Sequence, residues 1–344
     1  PLAVVDEDAM ERNLAALAAL AGAAGISLRP HAKTHKSGFV ARRQLFSGAA
    51  GLTCATLREA EVFAAAGVED ILIAHPPVGE AKATRLAALA ERVPRLAVAV
   101  DSLEAAAWAP APVELVWEVD SGMGRMGTLP GEATAEAVLR LLERTGPERV
   151  RGLMTHGGHV YRVEDPGLRR PAAAQEAEAV RASARACRER GFWPRVLSVG
   201  STPTAEFAAE QGEINEIRPG TYVFGDANQV ALGSQRLEDC ALGVVTSVIA
   251  VHPDRAVIDA GSKALSSDLR VAGVAGWGTV LGHPEVVLER LSEEHGVLRG
   301  AIAQLRVGDR LAVLPNHACT CVNGHPELLF TRSGWQPVEA RGWR

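Results

Sequence analysis

Along most of the chain, short apolar and β-branched runs alternate with Ala, Leu, Glu and Arg segments of helical period. The runs predict eight strands: SLRPHAK (27–33), GLTCAT (51–56), DILIAHP (70–76), RLAVAVD (95–101), VELVWEVD (113–120), VRGLMTH (150–156), RVLSVGS (195–201) and EINEIRPG (213–220). Helices are predicted between them, as over Leu57–Gly67, Glu80–Arg92, Glu132–Arg144 and Ala172–Arg190, and another over Asp8–Ala24 before the first strand. Eight strands separated by helices is the count of a TIM-type (β/α)8 barrel. A doubly wound sheet is the rival, but eight regular units fit closure better.

The rhythm changes after Gly225. ALGVVTSVIAVHP, RAVIDAG, RLAVLP and ELLFTRSG read as strands, and only Pro284–Glu294 reads as a helix among them. The pattern predicts an α/β chain of two parts: a barrel over 8–225 and a mainly β domain over 226–344. The opening run LAVVD, within residues 1–7, is expected to join the second.

At 344 residues with 47% hydrophobic content there is ample material for such an interior. The formal net charge of -5 offers no basic face, so neither nucleic acid nor an anionic membrane is an expected partner. No apolar run is long enough to span a bilayer, and PLAVVDEDAM has neither part of a secretory signal. Five cysteines are odd and sparse, which predicts a reducing cytoplasm rather than a disulfide framework. Of 36 cationic residues only Lys33, Lys36, Lys82 and Lys263 are lysines. In a chain that prefers Arg, a retained lysine marks a place where a deprotonatable amine is wanted.

In a barrel of this kind chemistry sits where strands end on the C-terminal face. Lys33 follows the first strand, Arg125 the fifth, and His156 and His159 the sixth. Ser201 and Thr202 follow the seventh, and Gly220, Thr221 and Tyr222 the eighth. Loops seven and eight are where such barrels hold phosphate, and GSTPT (200–204) and RPGTY (218–222) suit it. Lys33 reads either as a solvated surface lysine or as an amine whose pKa is lowered by burial and by the neighbouring His31, His35 and Lys36, ready to attack a carbonyl. A phosphate site on the same face favours the second. SGMGRMG (121–127) contains GxGxxG, but it does not open a βαβ unit and reads better as a loop that places Arg125. In PNHACTCVN (315–323) an extended backbone would turn His317, Cys319 and Cys321 to one face, an imidazole and thiolates suited to a zinc-like ion. The alternative there is a packed strand with inert cysteines.

Together these segments resemble the fold-type III pyridoxal-phosphate enzymes, in the branch of D-serine dehydratase, D-threo-3-hydroxyaspartate dehydratase and D-threonine aldolase. RPHAKTHK (29–36), DSGMGRMG (120–127), LMTHGGHVY (153–161), GSTPT, EIRPGTYVFGD (216–226), IDAGSKALSSD (258–268) and PNHACTCVN carry the resemblance. It implies a barrel plus a β domain, a homodimer, and pyridoxal phosphate held as a Schiff base on Lys33. It further implies Arg125 at the phenolic oxygen, His156 against the pyridine ring, and Arg218 near the pyridine nitrogen. Ser201, Thr202, Gly220, Thr221 and Tyr222 would surround the phosphate. His317 and Cys319 match the pair that holds a divalent metal, zinc or manganese, in the dehydratases; Cys321 matches no family ligand.

The resemblance implies a lyase acting on D-β-hydroxy amino acids. Cys319, where the aldolases more often carry Asp, tilts the reading toward a dehydratase that gives a 2-keto acid and ammonia. A retro-aldol cleavage of the D-threonine aldolase type is the alternative. A two-base racemase that draws a tyrosine from the β domain is excluded, because Tyr161 and Tyr222 are the only tyrosines. A non-catalytic carrier of the cofactor would leave the second domain and its HAC motif unexplained.

Overall fold

A computed structural model describes residues 1–342 other than 164 and 209. Seventeen strands are present among the described residues, in two sheets. The first sheet holds β2 (Ser27–Leu28), β3 (Leu52–Cys54), β4 (Asp70–Ile73), β5 (Arg95–Val100), β6 (Glu114–Glu118), β7 (Val150–Met154), β8 (Val196–Val199) and β9 (Glu216–Ile217). Each lies inside one of the eight predicted runs. The runs are nearly continuous in apolar residues because parallel strands are covered on both faces, as in the fully buried Asp70–Ile73.

All pairings in this sheet are parallel, in the order β2-β9-β8-β7-β6-β5-β4-β3. The two ends meet through a bridge between His31 and Thr53 and through N–H donation from Thr53 to Pro30 and from Ala50 to Leu28, each 2.8 Å. This closes the barrel. Helices Leu57–Ala65, Glu80–Ala90, Glu132–Thr145 and Arg169–Glu189 pack outside it. Helix Glu7–Ala23 precedes it and starts where the Asp6 carboxylate accepts the N–H groups of Asp8 and Ala9.

Inside the barrel a small apolar layer of Leu72, Ala97, Ala99, Val116 and Met154 leaves room for a chain of polar groups. Arg29 spans Asp70 (2.6 Å) and Glu216 (2.7 Å), Glu216 accepts the Ser198 hydroxyl (2.7 Å), and Ser198 accepts from Arg218. Arg218 also donates to the carbonyl of Thr155. Its guanidinium is thus held from below by the strands themselves.

The second sheet holds β1 (Leu2–Val5), β10 (Leu242–Val251), β11 (Ala256–Ile258), β12 (Gly278–Val280), β13 (Val286–Leu291), β14 (Gly296–Gly300), β15 (Arg310–Pro315), β16 (Glu327–Phe330) and β17 (Gly334–Pro337). The long β10 pairs with both β11 and β15, so six strands form a ring, while β1, β16 and β17 extend beyond it. β1 lies between β10 and β16, far in sequence from both. Two expectations fail here. Pro284–Glu294 is not helical: Val286, Val287 and Leu288 alternate inward and outward, and β13 pairs with β12 and β14. PNHACTCVN is not extended either, because β15 ends at Pro315 and Ala318–Gly324 is a helix.

Candidate active site at the barrel mouth

After β2 the chain leaves the barrel through Arg29 and Pro30 and makes a 3₁₀ turn, Ala32–Thr34. His31 caps that turn by accepting the Lys33 N–H (3.5 Å). The turn places the Lys33 side chain in a cavity of about 310 Å³ shared with His31, His75, Arg125, His156 and Arg218. Burial, then Lys33 and the neighbouring cationic groups, hold His31 and His156 well below the ordinary histidine range, so both rings are neutral at pH 7. The neighbours expected around Lys33 are therefore redistributed. His35 turns away, fully buried between Ser37 and Gln44, and Lys36 pairs with Glu59 at 2.6 Å. The fixed charges beside Lys33 are Arg125 and Arg218.

The Gly-rich loop is a device for Arg125 and has no free phosphate nest. Asp120 accepts the N–H groups of Gly122 (2.9 Å), Met123 (2.9 Å) and Gly124 (3.1 Å), the donors a dinucleotide would need. Arg125 is half-exposed and lies 3.7 Å from Glu118 Oε1; the other oxygen of Glu118 is shut off from solvent without a partner.

Loops seven and eight meet directly, the Thr202 Oγ1 accepting the Tyr222 N–H at 3.1 Å. Ser201, Thr202 and Thr221 are buried hydroxyls at this seam. Gly220 is where the seam touches the lysine turn: a Cβ there would stand 2.8 Å from Thr34 Oγ1 and 3.0 Å from the His31 carbonyl. The Tyr222 hydroxyl is engaged by Gln44 (3.2 Å), so this residue bears on the loop through its backbone. His159, beyond His156, has both ring nitrogens buried and unpartnered.

His317 and Cys319 meet although the backbone is not extended between them. His317 is the extended N-cap of helix Ala318–Gly324, and Cys319 lies in its first turn. Against burial, His317 pulls the Cys319 thiol below its usual range. His317 Nδ1 is 2.9 Å from Asp268 Oδ2, which leaves Nε2 as the ligand atom if Nδ1 carries the proton. Asp226 accepts the Ala318 N–H (2.9 Å) that opens the helix; burial raises its carboxyl to about 6. Cys321 points elsewhere, donating to the Ala264 carbonyl (3.1 Å). Among the described residues no group of three or more His, Cys, Asp or Glu surrounds a metal position.

An amine and two guanidinium groups in a cavity beside buried hydroxyls fit an anionic aldehyde such as pyridoxal phosphate. One imidazole and one acidified thiol, with Asp268 behind the imidazole, fit a divalent ion with open positions for substrate oxygen. Sequence reasoning passed over His75, Glu118, Asp226 and Asp268. Asp226 and Asp268 each end a segment quoted above for its resemblance, and that position beside small residues was the only available signal. Glu176 lies in no such segment.

This barrel, with a lysine in the turn that follows its first strand, defines a class. The chain belongs to the family of the alanine racemase N-terminal domain, which matches residues 5–228, a pyridoxal-phosphate-dependent family. A putative serine dehydratase domain matches residues 241–331. More particularly, the chain is 35% identical to a D-threo-3-hydroxyaspartate dehydratase of Delftia sp., over 93% of this chain and 90% of that protein. It is 32% identical to a D-threonine aldolase of Arthrobacter sp., over 100% and 93%. A solved D-threo-3-hydroxyaspartate dehydratase with a cysteine replaced by alanine, in the metal-free form, superposes with a TM-score of 0.89 at 33% identity, covering 100% of this chain and 98% of that one.

Proposed function

We propose that this chain is a pyridoxal-phosphate- and divalent-metal-dependent lyase acting on D-β-hydroxy amino acids, with D-serine or D-threo-3-hydroxyaspartate dehydrated to a 2-keto acid and ammonia. The observation that carries the reading is the junction of two sheets at one point: Cys319, from the second, lies beside the turn that presents Lys33, from the first. A carrier of the cofactor has no use for that junction. Bound there, pyridoxal phosphate would supply an electron sink at Cα, and zinc or manganese on His317 and Cys319 a Lewis acid for the β-oxygen.

The residues divide the remaining work. Lys33 binds the aldehyde and then moves the α-proton, since its side chain lines the cavity and pairs with no carboxylate among the described residues. Arg125 and Arg218 bind anionic oxygen and ring nitrogen; Arg218, fixed by Ser198 and Thr155, keeps one orientation. His156, held neutral in the cavity, would meet the ring without competing for the α-proton. Ser201, Thr202, Gly220 and Thr221, with the Tyr222 backbone, form the phosphate seam. His317 and Cys319 would hold the ion, which would supply Lewis-acid assistance to departure of the β-substituent. One base on one face accounts for a single enantiomer.

Dehydration over aldol cleavage rests on Cys319: a thiolate-bound ion is suited to carry the β-oxygen away as hydroxide. The aldolase reading keeps that oxygen and deprotonates it, and the similarity to a D-threonine aldolase favours it as the second reading. Five free cysteines are consistent with a cytoplasmic enzyme, and a homodimer is the assembly the resemblance implies. No helix among the described residues is long and apolar enough to cross a membrane. Product analysis on a panel of D-β-hydroxy amino acids and their L-enantiomers tests the reading. A keto acid and ammonia from the D-forms alone is the expected result; glycine and an aldehyde as main products replace it with the aldolase.

A further inference from the structure

The helix Arg169–Glu189 buries a stripe of Ala172, Ala173, Ala177, Val180 and Ala184, and in the middle of it Glu176 is 0% exposed. Packing gives no reason for a carboxyl there. A buried carboxyl is costly unless its oxygens are hydrogen-bonded, so its partners explain its presence. Oε1 accepts the N–H of Gly157 (2.7 Å) and the N–H of Gly200 (2.9 Å). Oε2 accepts the hydroxyl of Thr204 (3.1 Å).

Those three partners belong to two loops at the barrel mouth. Gly157 follows His156 in the loop after β7. Gly200 precedes Ser201 in the loop after β8, and Thr204 ends the 3₁₀ turn of that loop. The contact with the first loop is tight: a Cβ on residue 157 would stand 2.9 Å from the Glu176 carboxyl carbon. Only glycine lets the chain approach so closely. On the other side the bond network continues, because Thr204 Oγ1 accepts the Ser201 N–H (3.1 Å) and lies 3.1 Å from the Ser201 hydroxyl. With the Thr204 proton given to Glu176, that oxygen is left as an acceptor toward Ser201.

We propose that Glu176 is a positioning residue for the cofactor phosphate, clamping the hydroxyl-bearing loop after β8 to the loop that carries His156. Phosphate grip and ring contact are thereby kept in one fixed relation. The inference rests on the pyridoxal-phosphate reading above. It differs from a general stabilising role in what it predicts: the loss on substitution falls chiefly on the phosphate group, since two of the three bonds to Glu176 come from the loop of Ser201 and the third reaches His156 only through the backbone of Gly157.

The test compares pyridoxal phosphate with pyridoxal, which has the same ring and aldehyde but no phosphate. Cofactor is removed from the purified holoenzyme and each compound is titrated back, following the visible absorbance of the lysine-bound form. In Glu176→Gln, affinity for pyridoxal phosphate should fall about tenfold, as expected for loss of a charge-assisted hydrogen-bond set, while affinity for pyridoxal changes less than about twofold. Thr204→Val keeps the carboxylate but cuts the arm to Ser201, and should give the same selective loss at about threefold. If Glu176→Gln does not fold, Thr204→Val decides alone. Equal weakening of both compounds, or no weakening of either, overturns the inference while leaving the cofactor reading intact. Wild-type protein that binds neither compound overturns that reading and this inference with it.

Discussion

The Sγ of Cys319 lies 3.2 Å from the Oγ1 of Thr34, the residue that follows Lys33. The two residues are 285 positions apart, one in the second sheet's helix and one in the first barrel loop. Asp226, at the end of the barrel segment, accepts the N–H of Ala318 on the same helix. Lys33 and the His317–Cys319 pair therefore lie close together only while the two sheets are docked, and the docking contacts are themselves polar and directional.

Lys33→Ala should lose the visible absorbance of bound cofactor and at least about a hundredfold in turnover, the scale of a lost acid–base group. The side chain lines the cavity and is only half-buried, so the circular dichroism spectrum and Tm should stay close to those of the parent. Borohydride reduction followed by peptide mapping should place the label on Lys33; a label on Lys36, which pairs with Glu59, contradicts the assignment.

Asp268 should matter for metal and not for cofactor. It is 2.9 Å from His317 Nδ1, where it fixes the ring and leaves Nε2 free to take an ion. Asp268→Asn should weaken metal binding by about 10- to 100-fold, measured by competition with a chromophoric chelator, while the cofactor absorbance is unchanged. Chelation of the parent enzyme should abolish turnover with the same spectroscopic silence. A metal affinity that does not move shows that Asp268 only caps its own loop.

The barrel was legible because each strand is buried on both faces and each helix has one apolar stripe, so the two periods alternate along the chain. Pro284–Glu294 was misread because Glu285, Glu289 and Glu293 at intervals of four give helical spacing, whereas β-branched Val286 and Val287 and the waiting partners β12 and β14 decide for a strand. The meeting of His317 and Cys319 was anticipated for the wrong reason. An extended strand would have brought Cys321 along; the helix turns Cys321 to Ala264 instead. Neighbours in space left less trace. His35 and Lys36 look like companions of Lys33 in the sequence, yet the 3₁₀ turn sends them away from the cavity into other buried contacts, and Arg218 replaces them from 185 residues away, counting from residue 33 to residue 218. Glu176 gave no signal at all, since an acidic residue every few positions is ordinary on a surface helix.

The polar chain inside the barrel should be costly to interrupt. Arg29 is 1% exposed and neutralises Asp70 and Glu216, both of which its charge holds below the ordinary carboxylate range despite burial. Arg29→Met leaves both carboxylates in the interior with weaker partners, and should lower stability by about 3–5 kcal/mol in urea denaturation. Because Glu216 and Ser198 lead on to Arg218, the variant should also show a shifted cofactor spectrum. A loss under about 1 kcal/mol would show that Arg95 and Arg151, which also reach Asp70, suffice.

His35 should make the fold sensitive to mild acid. The ring is 0% exposed, edge-on to Phe63, with Nδ1 accepting the Ser37 N–H and Nε2 facing the Gln44 amide oxygen. Burial, reinforced by Lys36, lowers its pKa from 6.5 to about 4, although the Gln44 and Ser37 contacts pull the other way. Because the folded value lies below the unfolded one, the unfolded chain binds the proton more readily. The stability His35 permits is complete above pH 6.5 and drains away as pH falls through 6.5 toward 4. Between pH 8 and pH 5 this one group should remove about 2 kcal/mol. His35→Gln, which carries no charge at either pH, should start less stable at pH 8 but lose about 2 kcal/mol less than the parent on going to pH 5. Urea midpoints at the two pH values read this difference directly, and parallel losses in parent and variant would show that the ring is not the group that titrates. The added proton falls on Nδ1 and opposes the Ser37 N–H, so it disturbs the segment that leads on from the lysine turn. Cofactor affinity should therefore decline over the same pH interval in the parent and decline less in the variant.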